Sequence, residues 1–427
     1  MFRGIKNQAG VAALVSAFFA FSHPATAHSP VPPSSIPDIT ALGVSRDRIA
    51  KIDDILSAQI AKKLWPGSVT LIARRGEIVH FSAHGALDGK GDRPMQKDSI
   101  FRIFSMTKPI VSVATMMLVE RGALRLEEPI ETYLPELKAL RVFNAGSEPV
   151  ALQRSVTVQD LLRHSSGLTQ GFVGLRAKEI ADAYKQADVE TSTQDLSPDE
   201  VLKRVASIPL AFQPGTTFEY GISTDILGIL LERVTGKRLD VLVDEMVLSP
   251  LKMSDTGFTV PDAKKARLAD AFACDPMKAE LWRRVRVEND PGARMRLGGA
   301  GMVSTASDYF RFAQMLLNGG ELDGVRLLST KTIEYMLSDH IIGMAGSPAG
   351  IAGPGYRFGL GFAVRTQLGM AVTPGSIGDA NWSGIGGTAF TIDPKEGIVG
   401  VIMTQAPTYR IAARNMFKNL IYSTVVK

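Results

Sequence analysis

The sequence predicts an α+β fold in which strands from both termini form one antiparallel sheet, flanked by helices, with a mainly helical region inserted between them. Three observations predict it. Strand-like alternation is confined to residues 67–86 and to the stretch from residue 358 onward, while helical periodicity flanks these at 46–64 and 412–425. Between them, residues 122–300 carry short helical runs broken by Gly and Pro. A sheet fed from both ends of a chain buries its faces against the end helices.

With 427 residues, 45% hydrophobic and 21% charged, the chain is globular in composition and long enough for a large core or two parts. Arg3 and Lys6, the apolar run 9–21 and Ala25-Thr26-Ala27 form the charged, hydrophobic and small-residue regions of a secretory signal, residues 1–27. That run is short for a bilayer span, so no stable membrane insertion is expected after cleavage. The formal charge of +5, less Arg3 and Lys6, gives +3. So small an excess argues against a nucleic-acid partner. Cys274 is the only cysteine, which excludes an internal disulfide and fits a bacterial periplasmic or secreted protein rather than a stapled extracellular scaffold.

A Pro/Ser-rich stretch from Ser29 to Asp38 opens a linker, 28–44. Ile49, Ile52, Ile55, Leu56 and Ile60 then mark a helix, and Arg74-Arg75-Gly76-Glu77 turns one strand into the next. His80 and His84 fall on one side of the second strand. Two imidazoles could share a metal, but no third ligand stands in obvious register, so metal-hydrolase mechanisms rank low.

Residues 109–120 are apolar on nearly every face and end at Arg121-Gly122, which describes a central, buried helix. Ser105 and Lys108 stand at its mouth, three residues apart. On a helix such residues are neighbours, so an amine can reach a hydroxyl, the usual way to activate a serine. Spacing alone is weak: Ser249-Pro250-Leu251-Lys252 repeats it in a loop-like setting.

From residue 122 to 299 the reading is short helices and loops, making a helical part inserted into a sheet part of residues 45–121 and 300–427. Helices are expected over 158–164, 199–205 and 224–234, and residues 170–198 read as a flap over a site. Pro214-Gly215-Thr216 leads to Tyr220, on its own a packing tyrosine. Arg283, Arg284, Arg286, Arg294 and Arg296 read as solvated surface or as a rim for an anionic substrate. The run 297–305 is a glycine-rich turn near a site that lacks the spacing of a nucleotide loop; a helix over 306–318 follows. Strands are expected over 358–364, 381–393 and 397–405, then a terminal helix.

Four stretches together resemble the serine β-lactamase and penicillin-binding-protein superfamily, in particular the class C β-lactamase-like branch with its family VIII carboxylesterases. They are Ser105-Met106-Thr107-Lys108, the run from Leu161 to Leu168, Pro214-Gly215-Thr216 with Tyr220, and the run from Trp382 to Thr388. Their order and separations agree over about residues 45–425. The resemblance implies a β-lactamase/transpeptidase-like fold and an acyl-enzyme on Ser105, with Lys108 and Tyr220 as bases. It also implies an edge strand bearing the last motif, and an oxyanion hole from the N–H groups of Ser105 and Ile385. No cofactor or metal is called for.

Two departures bear on the substrate. Ile222 stands where the β-lactamases have an amide-binding asparagine, and Trp382 where they have a lysine for the antibiotic carboxylate. With Ser383 and Gly384 these would line the substrate site. Losing such polar contacts weakens discrimination for a charged β-lactam, so the expected substrate is a small ester. A peptidoglycan DD-peptidase, a D-aminopeptidase or a weak β-lactamase is the alternative. An α/β-hydrolase is excluded, because no Gly-x-Ser-x-Gly occurs and the last histidine is His340. A silent binding protein is disfavoured by the intact Ser105, Lys108 and Tyr220.

Overall fold

The computed structural model describes residues 38–170, 178–189, 193–287 and 293–427. The signal segment and most of the linker lie outside them, as do residues 171–177 and 190–192 of the expected flap.

Seven strands form the sheet: β1 (Gly67–Arg74), β2 (Glu77–Gly85), β3 (Tyr356–Phe358), β4 (Ala363–Arg365), β5 (Ala380–Ser383), β6 (Ala389–Asp393) and β7 (Ile398–Thr404). They lie in the order β2-β1-β7-β6-β5-β4-β3, and every neighbouring pair is antiparallel. The first and last strands of the chain's two sheet segments therefore meet at β1 and β7. Side-chain alternation decides what each face covers. Val69, Leu71 and Val401 join the main core, whereas Ile72 and Ile402 pack with Ile52, Leu56, Phe417 and Ile421 of the two end helices.

Those end helices are α1 (Arg46–Ala61), started by the Ser45 cap, and α6 (Arg410–Ser423). Between them in sequence lie α2 (Thr107–Glu120), α3 (Val158–Leu162), α4 (Ser223–Thr235) and α5 (Ala306–Leu317). α2 is buried from Thr107 through Leu118, as its all-round apolarity requires. α3 opens with a Thr157–Asp160 capping box, and α4 ends on Gly236 in the left-handed region at φ +68°.

Two expected single strands are hairpins instead. Residues 358–364 turn at Gly361, φ +94°, and 381–393 turn through Gly387, φ +119°. Glycine supplies these conformations without a Cβ penalty, and apolar flanks hid the breaks. β5 is not an edge strand, because β4 and β3 lie outside it. The β4 ladder stops at Asn381, however, leaving Trp382 and Ser383 unpaired on that side. A short helix, Ala349–Ala352, precedes β3.

Candidate active site

Ser105 sits in a single 3-10 turn, Phe104–Met106, that runs straight into α2. Phe104 has φ +44°, a conformation that costs a bulky residue on the order of 1–3 kcal/mol and persists only where packing enforces it. Here the packing is the turn after β5. A Cβ on Gly384 would stand 2.2 Å from the Ile103 carbonyl, and one on Gly386 2.5 Å from the Phe104 ring. The glycines of that motif thus let two turns close on each other.

Lys108 lies on the same face as Ser105. Its Nζ donates to Ser105 Oγ at 3.3 Å and to the Gly299 carbonyl at 2.7 Å, with the residue only 5% exposed. Tyr220 reaches in from the loop before α4, its hydroxyl 2.9 Å from Ser105 Oγ and its ring 4.7 Å from Lys108 Nζ. An amine three residues away and a phenol 115 residues away therefore converge on one oxygen.

The Leu161–Leu168 motif explains how Tyr220 is held. His164, left-handed at φ +55°, packs against the Tyr220 ring at 4.6 Å between centroids, with the planes tilted by 44°. Burial, reinforced by the charge of Lys108, holds its imidazole well below the usual value. The neutral ring can then accept the Gly221 N–H at Nδ1, 3.4 Å away. Backbone bonds from Glu219 N to the His164 carbonyl and from Ile222 N to the Thr169 carbonyl complete the brace.

A cavity of about 210 Å³ opens beside Ser105, and Ile222, Ser383, Gly384 and Ile385 line it as expected. The N–H groups of Ser105 and Ile385 have no acceptor among the described residues. Trp382 does not line the cavity: it is 1% exposed and packs against Tyr220 and Phe358, at 5.4 and 5.2 Å between ring centroids. It stands as a buttress behind the tyrosine. Val201, Ile226, Leu281 and Leu297 add an apolar section of the wall.

Three charged lining residues escaped the sequence reading. Asp225 accepts the Gly299 N–H at 2.8 Å, and burial raises its carboxyl above the ordinary value against the pull of Lys108. Its only sequence signal is an acid in the first turn of α4, ahead of the apolar run. Arg410 and Arg414 enter from α6, one turn apart. The arginines of the expected basic run all meet acids, Arg283 and Arg284 with Glu280, Arg286 with Asp195, Arg294 with Glu200 and Arg296 with Asp240, and of these Arg284 also lines the cavity.

His80 and His84 lie outside this cavity. His84 Nε2 is 2.8 Å from Asp53 Oδ1 on α1, and His80 Nε2 is 2.8 Å from Thr70 Oγ1 and 3.9 Å from the same Asp53 oxygen. Among the described residues no group of three or more His, Cys, Asp or Glu is arranged to hold a metal ion. Cys274 is exposed and free.

An antiparallel sheet built from both ends of the chain, with the Ser105 turn packed against the turn after β5, defines a serine hydrolase of β-lactamase/transpeptidase architecture. Residues 52–419 match the Beta-lactamase family, and the chain belongs to it. It is 33% identical to esterase EstB of Burkholderia gladioli over 83% of this chain and 90% of that one. Among solved structures, EstCE1, titled a hydrolase with promiscuous acyltransferase activity, superposes with a TM-score of 0.75 at 26% identity, covering 88% of this chain and 99% of its own. An octameric penicillin-binding protein homologue from Pyrococcus abyssi shares the fold, at a TM-score of 0.65 and 22% identity over 88% and 80% of the two chains. No helix among the described residues is long and apolar enough to cross a membrane.

Proposed function

We propose that this chain is a carboxylesterase that hydrolyses small esters through an acyl-enzyme on Ser105. One observation carries the reading: Ser105 Oγ lies 2.9 Å from the Tyr220 hydroxyl and 3.3 Å from Lys108 Nζ, at the wall of an apolar cavity. Ser105 Oγ bonds to the ester carbonyl carbon while its proton passes to the Lys108–Tyr220 pair. The oxyanion accepts the free N–H groups of Ser105 and Ile385; such preorganised donors are typically worth about 3 kcal/mol each. Tyr220 returns the proton to the departing alkoxide as the carbonyl–oxygen bond breaks. Water then attacks the acyl carbon by the same route, and the acid leaves.

Ile222 in the cavity wall and the resemblance to a protein named an esterase favour esters over β-lactams. The same reading divides the chain into a sheet part, 45–121 with 300–427, and a helical part, 122–299. The first supplies Ser105, Lys108 and Ile385, and the second Tyr220. It also takes the protein as exported to the periplasm or secreted after loss of residues 1–27, which the mass of the protein recovered outside the cytoplasm tests directly.

The decisive experiment is intact-mass spectrometry of the mature protein with a p-nitrophenyl ester, a fluorophosphonate and a chromogenic cephalosporin, alongside Ser105→Ala. Fast ester turnover, a Ser105-dependent fluorophosphonate adduct and little cephalosporin hydrolysis are expected. A stable cephalosporin adduct with slow ester turnover would assign the protein to the penicillin-binding peptidases instead.

A further inference from the structure

Several of the cations drawn out of solvent in this molecule are matched by an acid; Lys108, held by Ser105 Oγ and the Gly299 carbonyl, is not. Arg74 pairs with Glu396, Arg163 with Asp160, Arg296 with Asp240 and Arg365 with Asp379. On α6 itself, Lys418 meets Asp379 at 2.8 Å. One and two turns earlier on that helix, Arg414 and Arg410 break the pattern. Neither forms an ion pair among the described residues, although both are half-buried and both line the cavity that holds Ser105.

Their contacts are to neutral oxygens and a sulfur. Arg414 Nη1 donates to the Ile351 carbonyl at 2.9 Å and to Ser383 Oγ at 3.0 Å; Arg410 Nη1 donates to the Pro407 carbonyl at 2.7 Å and to Met277 Sδ at 3.5 Å. The acid closest in effect to Arg410 is Asp275, but its oxygens accept the Met277 N–H and the Thr408 N–H and hydroxyl. Burial accordingly lowers both guanidiniums below the ordinary value, whereas Asp255 and Asp160 raise Arg267 and Arg154. Two partly desolvated cations one helical turn apart are costly unless a counter-charge arrives. The guanidinium fork is suited to a carboxylate, which it binds through two parallel N–H bonds.

We propose that Arg410 and Arg414 form an anion subsite of the Ser105 cavity, which selects esters that carry a carboxylate on their acyl or alcohol part. The proposal rests on the esterase reading and sharpens it: an apolar wall takes the hydrocarbon, and α6 supplies the charge recognition. Arg414 also ties the subsite to the catalytic motif through Ser383, next to the turn that carries the Ile385 N–H.

Two matched substrate pairs test it. 4-Acetoxybenzoate against its methyl ester places the charge on the alcohol side, and mono-(4-nitrophenyl) glutarate against 4-nitrophenyl pentanoate places it on the acyl side. In at least one pair the wild-type protein should favour the carboxylate by about tenfold or more in kcat/KM, and the ratio should fall towards one in Arg410→Gln/Arg414→Gln. Because Arg414 also braces Ser383, absolute rates can fall for both members of a pair, and the ratio is the diagnostic. Arg410→Lys/Arg414→Lys, which keeps the charge, should retain part of the preference and serves if the glutamine variant does not fold. Calorimetric titration of Ser105→Ala with the same pairs reads binding without turnover, so a protein that hydrolyses no ester sinks the esterase reading while the subsite is still measured. No preference in either pair, or a preference unchanged by removing both guanidiniums, overturns the proposal.

Discussion

Ser105 and Lys108 are separated by three residues, and so are Ser249 and Lys252, yet the two places have nothing else in common. Ser105 lies in a turn continuous with a buried helix, and its hydroxyl meets both an amine and a tyrosine. Ser249 follows a π-helical turn, Asp244–Leu248; it is exposed and donates to Asp244 Oδ2 at 3.0 Å. Lys252 is exposed in a left-handed conformation at φ +54°. Spacing supplies reach, and only surroundings supply chemistry. A carboxylate beside a hydroxyl in water makes a cap, whereas an amine and a phenol beside one at a cavity wall make a candidate nucleophile.

The largest effect should separate the two serines. Ser105→Ala removes one oxygen and should lower kcat/KM for a p-nitrophenyl ester by about 10⁴-fold or more, with the melting temperature unchanged within about 2 °C. Ser249→Ala should leave the rate within about twofold. Equal losses in both would break the comparison and mean that the nucleophile lies elsewhere.

Tyr220→Phe comes next. It keeps the ring that packs against His164 and removes only the hydroxyl near Ser105, so kcat should fall by about 10²- to 10⁴-fold with little change in KM. An unchanged kcat would return Tyr220 to the packing role that its sequence context alone suggested.

What was legible in the sequence follows the same division. α2, the β1–β2 hairpin and the terminal helix were readable because period and burial act locally, and the motif glycines marked the close approach of two turns. The breaks at Gly361 and Gly387 were not, since an apolar hairpin of short strands has the composition of one longer strand. The resemblance puts Trp382 at the substrate site, and its inward packing against Tyr220 and Phe358 is a tertiary feature that its sequence neighbours do not reveal. Arg410 and Arg414 were invisible for a different reason. A periodic helix reveals which residues share a face, but not whether an acid from elsewhere will meet them. The five arginines from 283 to 296, read as surface or as a rim, all meet acids, Arg284 while also lining the cavity; the two on α6 do not.

The histidines carry the comparison to a smaller effect, read in stability rather than rate. Their i, i+4 spacing on β2 suggested a shared ligand, and what they meet is Asp53 and Thr70. Burial pushes the His80 imidazole down to about 4 from 6.5 against the pull of Asp53, with His84 and Lys97 adding to the push. The unfolded chain therefore takes up the proton first as the pH falls. Stability from this group is fully present above about pH 6.5 and is lost as the pH drops towards 4, by up to roughly 3 kcal/mol. Urea midpoints between pH 7 and pH 4.5 should fall accordingly in the wild-type protein, and His80→Gln should flatten the trend. Chelator should leave ester turnover within about twofold, because neither imidazole faces Ser105. Turnover lost in chelator and restored by zinc would show that the pair serves a metal after all, and that spacing had been the better guide.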